Sequence, residues 1–334
     1  MDKSSLNLPL TAFRFVVVAF LFATVLGGFT SGQQGQGADS EDIQVLPVQG
    51  NIYLIAGAGG NITLQVGQQG ELLVDTGSAP MSGKVLSSIR KLTGGPIRVI
   101  INTSVDPDHV GGNEAIGNAG MTVMGGVVGY SAQDVQKGAQ IMSHENLFNR
   151  MNGTIGGKSP WPSGAWPNDP YSISPKKLFS NEEGVEIIHV PAAHTDGDSI
   201  VFFRRSDVVA AGDIFVTTGY PVIDLQRGGS IQGVINGLNR VLDLTIAKQE
   251  SEGGTYVIPG HGRICDQFDV LEYRDMVTII RDRIQDMMKK NKTLEEIRAS
   301  RPTQDYDARY GASSGPWTTD MFIEAVYKSL MSAN

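Results

Sequence analysis

The chain has 334 residues, enough for one large domain or two small ones, and its 40% hydrophobic content with 41 glycines excludes a fibrous or disordered chain. A formal net charge of -8 leaves no basic footprint for nucleic acid or an anionic membrane surface, so a polyanionic substrate is not expected. The single cysteine, Cys265, excludes an internal disulfide and a thiolate metal cluster, and it reads as a small buried hydrophobe.

At the N-terminus, Lys3 and Arg14 precede the uncharged run FVVVAFLFATVLGGF, and small residues follow in TSGQQGQGADS. That order predicts a signal peptide over residues 1–32, with an uncleaved N-terminal anchor as the alternative, and a flexible linker over 33–40. The run is short for a spanning helix, and no cysteine follows it for lipid attachment. The expected location is periplasmic or secreted, with no stable membrane association after cleavage.

Beyond the linker, NIYLIAG (51–57), NITLQVG (61–67) and GELLVDTG (70–77) read as hairpin-linked strands. SGKVLSSIRKLT (82–93) has helical spacing, with Val85, Ile89 and Leu92 on one face. IRVIIN (97–102) is a strand that runs straight into NTSVDPDHVGGN (102–113), where Asp106, Asp108 and His109 precede a Gly-Gly turn. SAQDVQKGAQIMSHENLFNRM (131–151) is predicted to be helical. The stretch after it, 152–172, is dense in Gly, Pro and Trp, and with Trp161 and Trp166 it is expected to cover a substrate.

Four apolar runs follow, VEIIHVPAAH (185–194), SIVFFRR (199–205), DVVAAGDIF (207–215) and GTYVIPGH (254–261), most of them carrying a polar, potentially liganding residue at or near the end. Loops just beyond strand ends, held by a rigid sheet, are where active-site groups commonly gather. After His261, a helical stripe of Tyr273, Met276, Ile280, Ile284 and Met287 is a core face, and Thr293 with Glu296 forms a capping-box pattern for a further helix. The expected organisation is one domain over 41–298, with a helix-plus-loop insert at 127–180, and a C-terminal extension over 299–334 that packs on it.

Only five histidines are present, His109, His144, His189, His194 and His261. His109, His194 and His261 sit in loops after apolar strands, beside glycine, proline or aspartate. With Asp108 and Asp213 they form the kind of imidazole and carboxylate set that a hydrolytic metal site draws from several strand ends. His189 reads as structural, and His144 has no assignable motif position.

Taken together, DTG (75–77), SVDPDHVGG (104–112), PAAHTDGDS (191–199), AAGDIF (210–215) and IPGHG (258–262) make the chain resemble the metallo-β-lactamase-fold hydrolase superfamily over residues 41–265. The resemblance implies an α+β fold, a four-layer αββα sandwich with a metal site at one edge. Carried across by position, it implies one metal subsite of Asp108, His109 and His261, a second containing His194, and Asp213 bridging the two. Asp75 would orient a ligand histidine.

The family motif His-x-His-x-Asp-His is altered here to Ser104-x-Asp106-x-Asp108-His109. Serine is a poor ligand for a divalent cation and aspartate a good one, so Asp106 is the expected oxygen ligand of the second subsite, and Ser104 contributes at most a weak or water-held contact. The oxygen-rich set is expected to hold one or two divalent ions, zinc first, with iron or manganese also compatible.

The activity so implied is an exported hydrolase acting through a metal-bound hydroxide on an ester, lactone, lactam or related small molecule. Asp108 would be the catalytic acid/base, and Tyr220, with Asp224 nearby, would lie in a second substrate loop. Two rival readings stay open at this stage, an iron-dependent redox enzyme on the same fold and a non-catalytic metal- or ligand-binding module with a degenerate site. The substrate and the oligomeric state are not legible.

Overall fold

The computed structural model describes residues 42–123, 135–250 and 253–332. The expected signal segment and the whole linker lie outside the described residues. Among the described residues no helix is long and apolar enough to cross a membrane.

Strands β1 (Gln44–Gln49), β2 (Ile52–Ala58), β3 (Gly60–Gln65) and β4 (Glu71–Val74) form an antiparallel meander, and β5 (Ile97–Ile101) joins β4 in parallel. Strands β6 (Met121–Val123) and β7 (Val135–Lys137) form a separate ribbon. Strands β8 (Gln140–His144) and β9 (Asp169–Tyr171) extend the first sheet in parallel beyond β5, giving seven strands in the order β1-β2-β3-β4-β5-β8-β9. The second sheet runs β10 (Lys176–Ser180), β11 (Glu183–His189), β12 (Ser199–Phe203), β13 (Val208–Val216) and β14 (Tyr256–His261), with only the last pairing parallel.

Side chains on a strand alternate between the two faces, so a sheet covered on both sides needs apolar residues at every position. In β13, Val208 and Ala210 face the first sheet, whereas Val209 and Ala211 face the helices behind. Likewise Leu72 and Val74 of β4 join Val201, Phe203 and Ile258 in the layer between the sheets, while Leu73 turns outward.

The outer face of the first sheet is covered by α1 (Ser82–Leu92) through Val85 and Ile89, and by α3 (Asn113–Ala119) through Ile116. Behind the second sheet lie α5 (Ile231–Leu244), α6 (Gln267–Lys289), α7 (Leu294–Ala299), the short α8 (Asp307–Tyr310) and α9 (Thr319–Ser332), which bring Leu238, Tyr273, Ile280, Ile297, Tyr310 and Phe322 into one buried cluster. The four layers are helix, sheet, sheet, helix, as the sequence implies.

The core stripe of α6 is found as read, with Tyr273, Met276, Ile280 and Ile284 buried and Met287 packed at its margin. The Thr293–Glu296 capping box opens α7, and a second one, Asp266 with Asp269, opens α6. Cys265 is buried, and burial pushes its thiol up to about 12, in keeping with an inert packing residue.

Two expectations are corrected. The segment 131–151 is not one helix: where described, it holds β7, β8 and only then α4 (Glu145–Met151). Gly138, at φ +102°, breaks any helix there, and Ile141 and Met142 then face opposite sides of the first sheet. A parallel strand buried on both faces shows no alternation, so its apolar residues fit a helical period by chance. The second correction is Leu92. It lies in the last turn of α1 and is 39% exposed, so the buried face of that helix is Ser82, Val85 and Ile89.

Helix α9 is held by Phe322, which is fully buried and stacks on Tyr220 with ring centroids 4.7 Å apart. Phe322→Ala is expected to cost about 3–5 kcal/mol, read as a lower urea midpoint at unchanged denaturant slope. A loss below about 0.5 kcal/mol, the range of substitutions that touch no packed feature, would show that α9 does not belong to the cooperative core.

Candidate metal centre

The site lies where the loops after β4, β5 and β11 meet Asp213 within β13 and His261 at the end of β14. Asp75 follows β4 in the left-handed region at φ 66°, a conformation in which only glycine is free of strain. Its carboxylate accepts from the Thr103 amide at 2.8 Å and from the Thr103 hydroxyl at 2.5 Å, and it holds His109 Nδ1 at 2.7 Å. That contact leaves the other ring nitrogen of His109 facing inward, 3.1 Å from Asp213 Oδ1. His109 is wholly buried between the two carboxylates.

After β5 the chain enters the short helix α2 (Pro107–Val110), with Pro107 in its first position and Asp106 as its N-cap residue. An N-cap aspartate ordinarily spends its side chain on the helix amides, but Asp106 makes no such bond. Its Oδ2 lies 3.1 Å from His194 Nε2, and its Oδ1 makes a short contact with the Arg227 guanidinium. Beyond the helix a Cβ on Gly111 would sit 2.3 Å from the Pro107 carbonyl and one on Gly112 2.4 Å from that of Thr76, so only glycine passes here.

Two groups of side chains converge. Asp108, His109 and His261 offer ligand atoms within 4.8 Å of one another, and so do Asp106, His194 and Asp213. Asp108 Oδ2 is 3.1 Å from His261 Nε2. The two groups meet at Asp213, whose Oδ1 is 3.1 Å from His109 Nε2 and 3.5 Å from His261 Nε2, while its Oδ2 is 4.0 Å from His194 Nδ1.

Charge follows from this crowding. Burial raises the Asp213 carboxyl, but His109, His194 and His261 more than reverse it and hold it well below the usual carboxylate range. Burial likewise raises Asp106, yet His194 and Arg227 bring it down to about 2. Asp108 is lowered, with burial opposed by the His261 hydrogen bond and the His109 charge. Burial disfavours the charged rings of His109 and His194, but Asp213 and Asp75 raise the first well above its ordinary value, and Asp106 and Asp198 the second.

Three half-buried acids facing three imidazoles are the donor set of a hard to borderline divalent cation. His194 Nδ1 is buried without a hydrogen-bond partner, 3.5 Å from Asp198 Oδ1. An orphaned ring nitrogen beside an excess of carboxylate oxygens fits a cation that takes the place of protons on the imidazoles. The residues present therefore fit one or two metal ions.

A cavity of about 280 Å³ opens onto the site. Its floor is Asp106, Asp108, His194, Asp213 and His261, and its wall includes Tyr220, Tyr310 and Trp317. Tyr220 is buried, its hydroxyl donating to the Thr303 carbonyl at 3.2 Å and to Asp307 at 2.9 Å.

Trp161 and Trp166, expected in the substrate loop, are not among the residues lining this cavity. They pack on a buried cluster of Val105, Val110, Leu147, Met151 and Ala165, beneath the loop that carries the acids. Ser104 is buried and in neither ligand group; its hydroxyl accepts from the Asp106 amide at 3.4 Å. His189 and His144 stand apart from both groups, stacked on each other at 3.5 Å with His189 Nε2 2.9 Å from the Asp196 carbonyl.

Sequence reasoning missed Arg227, Tyr310 and Trp317. Only Arg227 left a local trace, the Asp224-x-x-Arg227 spacing, which the structure shows as an ion pair at 2.7 Å. Its partner across the site, Asp106, is 121 residues away in sequence.

The depressed carboxyls make stability depend on pH. A carboxyl held at about 2 against 3.8 adds stability that is complete above pH 4 and fades as the pH falls through 2. For Asp106 this is on the order of 2 kcal/mol. The chelator-stripped protein should thus show a lower urea midpoint at pH 2.5 than at pH 5, and Asp106→Asn should narrow that difference. Equal narrowing by Asp305→Asn, at an exposed ion pair, would refute the assignment.

Residues 46–261 match the sequence model of the metallo-beta-lactamase superfamily. No curated protein shows significant sequence similarity to the chain. Among solved structures, the stereoselective inverting sec-alkylsulfatase Pisa1 from Pseudomonas sp. superposes with a TM-score of 0.58 at 15% identity, covering 86% of this chain and 50% of the sulfatase. This chain thus spans about half the length of that enzyme. The DIM-1 metallo-beta-lactamase superposes with a TM-score of 0.51 at 16% identity over 71% of this chain and 97% of its own. A metallo-beta-lactamase from Pontibacter korlensis does so at 0.50 and 15%, over 71% and 99%. At these identities the likeness is one of fold, but the sequence match spans well over half of the chain. The chain belongs to the metallo-beta-lactamase superfamily.

Proposed function

We propose that the protein is an exported metal-dependent hydrolase of an ester, lactone, lactam or related small molecule. The observation that carries this reading is the meeting of two three-residue ligand groups at Asp213, at the floor of a cavity large enough for a small substrate. A divalent cation held there, zinc first, supplies a Lewis acid and an acidified water.

The remaining chemistry belongs to the side chains. Asp75 fixes the tautomer of His109 and turns Nε2 toward the site. Asp108 is the most exposed of the three acids, at 34% of its side chain, and its Oδ2 rests on His261. It is placed to take a proton at that carboxylate and release it to a leaving group in the cavity. Tyr220, Tyr310 and Trp317 exclude water from one side and offer an apolar wall to the substrate. Export rests on the Lys3 and Arg14 pattern before the apolar run, and the acidic balance supports a small-molecule partner over a nucleic acid.

Replacing His261 or Asp213 with alanine should remove both bound metal and hydrolysis of a panel of nitrophenyl esters, lactones, lactams and sulfate esters. His189→Ala should leave metal content intact and lower only stability. Full hydrolysis retained by His261→Ala would sink the reading. Asp75→Asn is expected to weaken metal affinity by about 10- to 100-fold, measured by competition with a chromogenic chelator.

A further inference from the structure

Two subsites that share one bridging acid need not bind cations equally, and here their surroundings differ in one respect. Among the described residues, the ion-pair contacts of Asp108, His109 and His261 are with one another and with Asp75 and Asp213, whereas Asp106 bears the Arg227 guanidinium. Arg227 is fixed on its far side by Asp224, which takes its Nε at 2.7 Å and its backbone amide at 2.8 Å. The second guanidinium arm is thereby aimed at Asp106 Oδ1, leaving Oδ2 alone to face His194.

We propose that Arg227 is a positioning residue that occupies half of Asp106 and makes the Asp106–His194–Asp213 subsite the weaker of the two, so that the protein binds one cation tightly and a second only at higher concentration. The inference rests on the metal-dependent reading given above. An ion entering that subsite meets a carboxylate already neutralised by a fixed cation, restricted to one free oxygen, and shares Asp213 with the first ion. Each of these lowers its affinity. A guanidinium does not deprotonate to make room, so the effect persists at all working pH values.

The test is a calorimetric titration of Zn²⁺ into the chelator-stripped full chain, with bound ions counted by native mass spectrometry. Two steps are expected, with the second at least about tenfold weaker, the ratio that 1.4 kcal/mol produces. Arg227→Met keeps the length of the stem and removes the charge, and it should tighten the second step by about tenfold while leaving the first unchanged.

Asp224→Asn weakens the clamp that aims Arg227 at Asp106 and should tighten the second step in the same direction, by less than Arg227→Met. It supplies a reading even if the methionine variant does not fold. Two equal steps in the wild-type chain, or a second step unmoved or weakened in Arg227→Met, would overturn the proposal while leaving the hydrolase reading intact. No Zn²⁺ bound by the wild-type chain would overturn both.

Discussion

The site depends on a buried chain of hydrogen bonds, carboxylate to imidazole to carboxylate, from Asp75 through His109 to Asp213. Asp75 and His109 follow strands of the first sheet and Asp213 lies in β13 of the second, so this chain ties the two sheets together at the edge where the ligands gather. A charge removed from water is tolerated only when paired, and breaking a buried pair costs about 3–5 kcal/mol. The three groups therefore fix one another. The strained backbone of Asp75 persists because its carboxylate is held three times over, by the amide and hydroxyl of Thr103 and by the ring of His109.

The register of the second sheet delivers Asp213 to that chain. Pairing between β13 and β14 slips at Gly212 and again before Val216, so the strand bulges where the acid must turn inward. Gly212 adopts φ +53°, and a Cβ there would come 2.6 Å from the Thr103 hydroxyl, the same residue that holds Asp75. On the neighbouring strand, a Cβ at Gly260 would fall 2.3 Å from Asp213 Oδ1. The glycines of AAGDIF and IPGHG are thus required by the close passage of backbone past the bridging acid.

Much of this was legible in the sequence where the signal is local. The alternating runs from 51 to 77, the α6 stripe and the Thr293 capping box depend on neighbours within a few residues, and they appear as read. Strand β8 was lost because burial on both faces erases the period of two, leaving Leu147 and Met151 of the following helix to suggest a longer one. Tyr310 and Trp317 left no local trace, and Arg227 only its spacing from Asp224, for a different reason. Nothing near them in the chain requires a role at the site; they reach it through the packing of the loop after β13 and of the segment before α9. The tryptophans that did stand out, Trp161 and Trp166, support the acid-bearing loop from beneath instead of lining the cavity.

The change from histidine to aspartate at position 106 takes on a definite physical meaning in this setting. A neutral imidazole in that place would face the Arg227 guanidinium with no charge to offer it, and the arginine would be a buried cation held by Asp224 alone. Asp106 supplies the second counter-charge, and it does so without capping α2. Both of its oxygens are then engaged, one by Arg227 and one by His194, and its carboxyl is brought down to about 2. Asp108 meets the site through one oxygen on His261 and is more exposed to the cavity. The two acids are separated by a single residue, yet their partners divide the work between them. Asp106 is tied to charges within the protein, and Asp108 is the more exposed of the two acids that line the cavity.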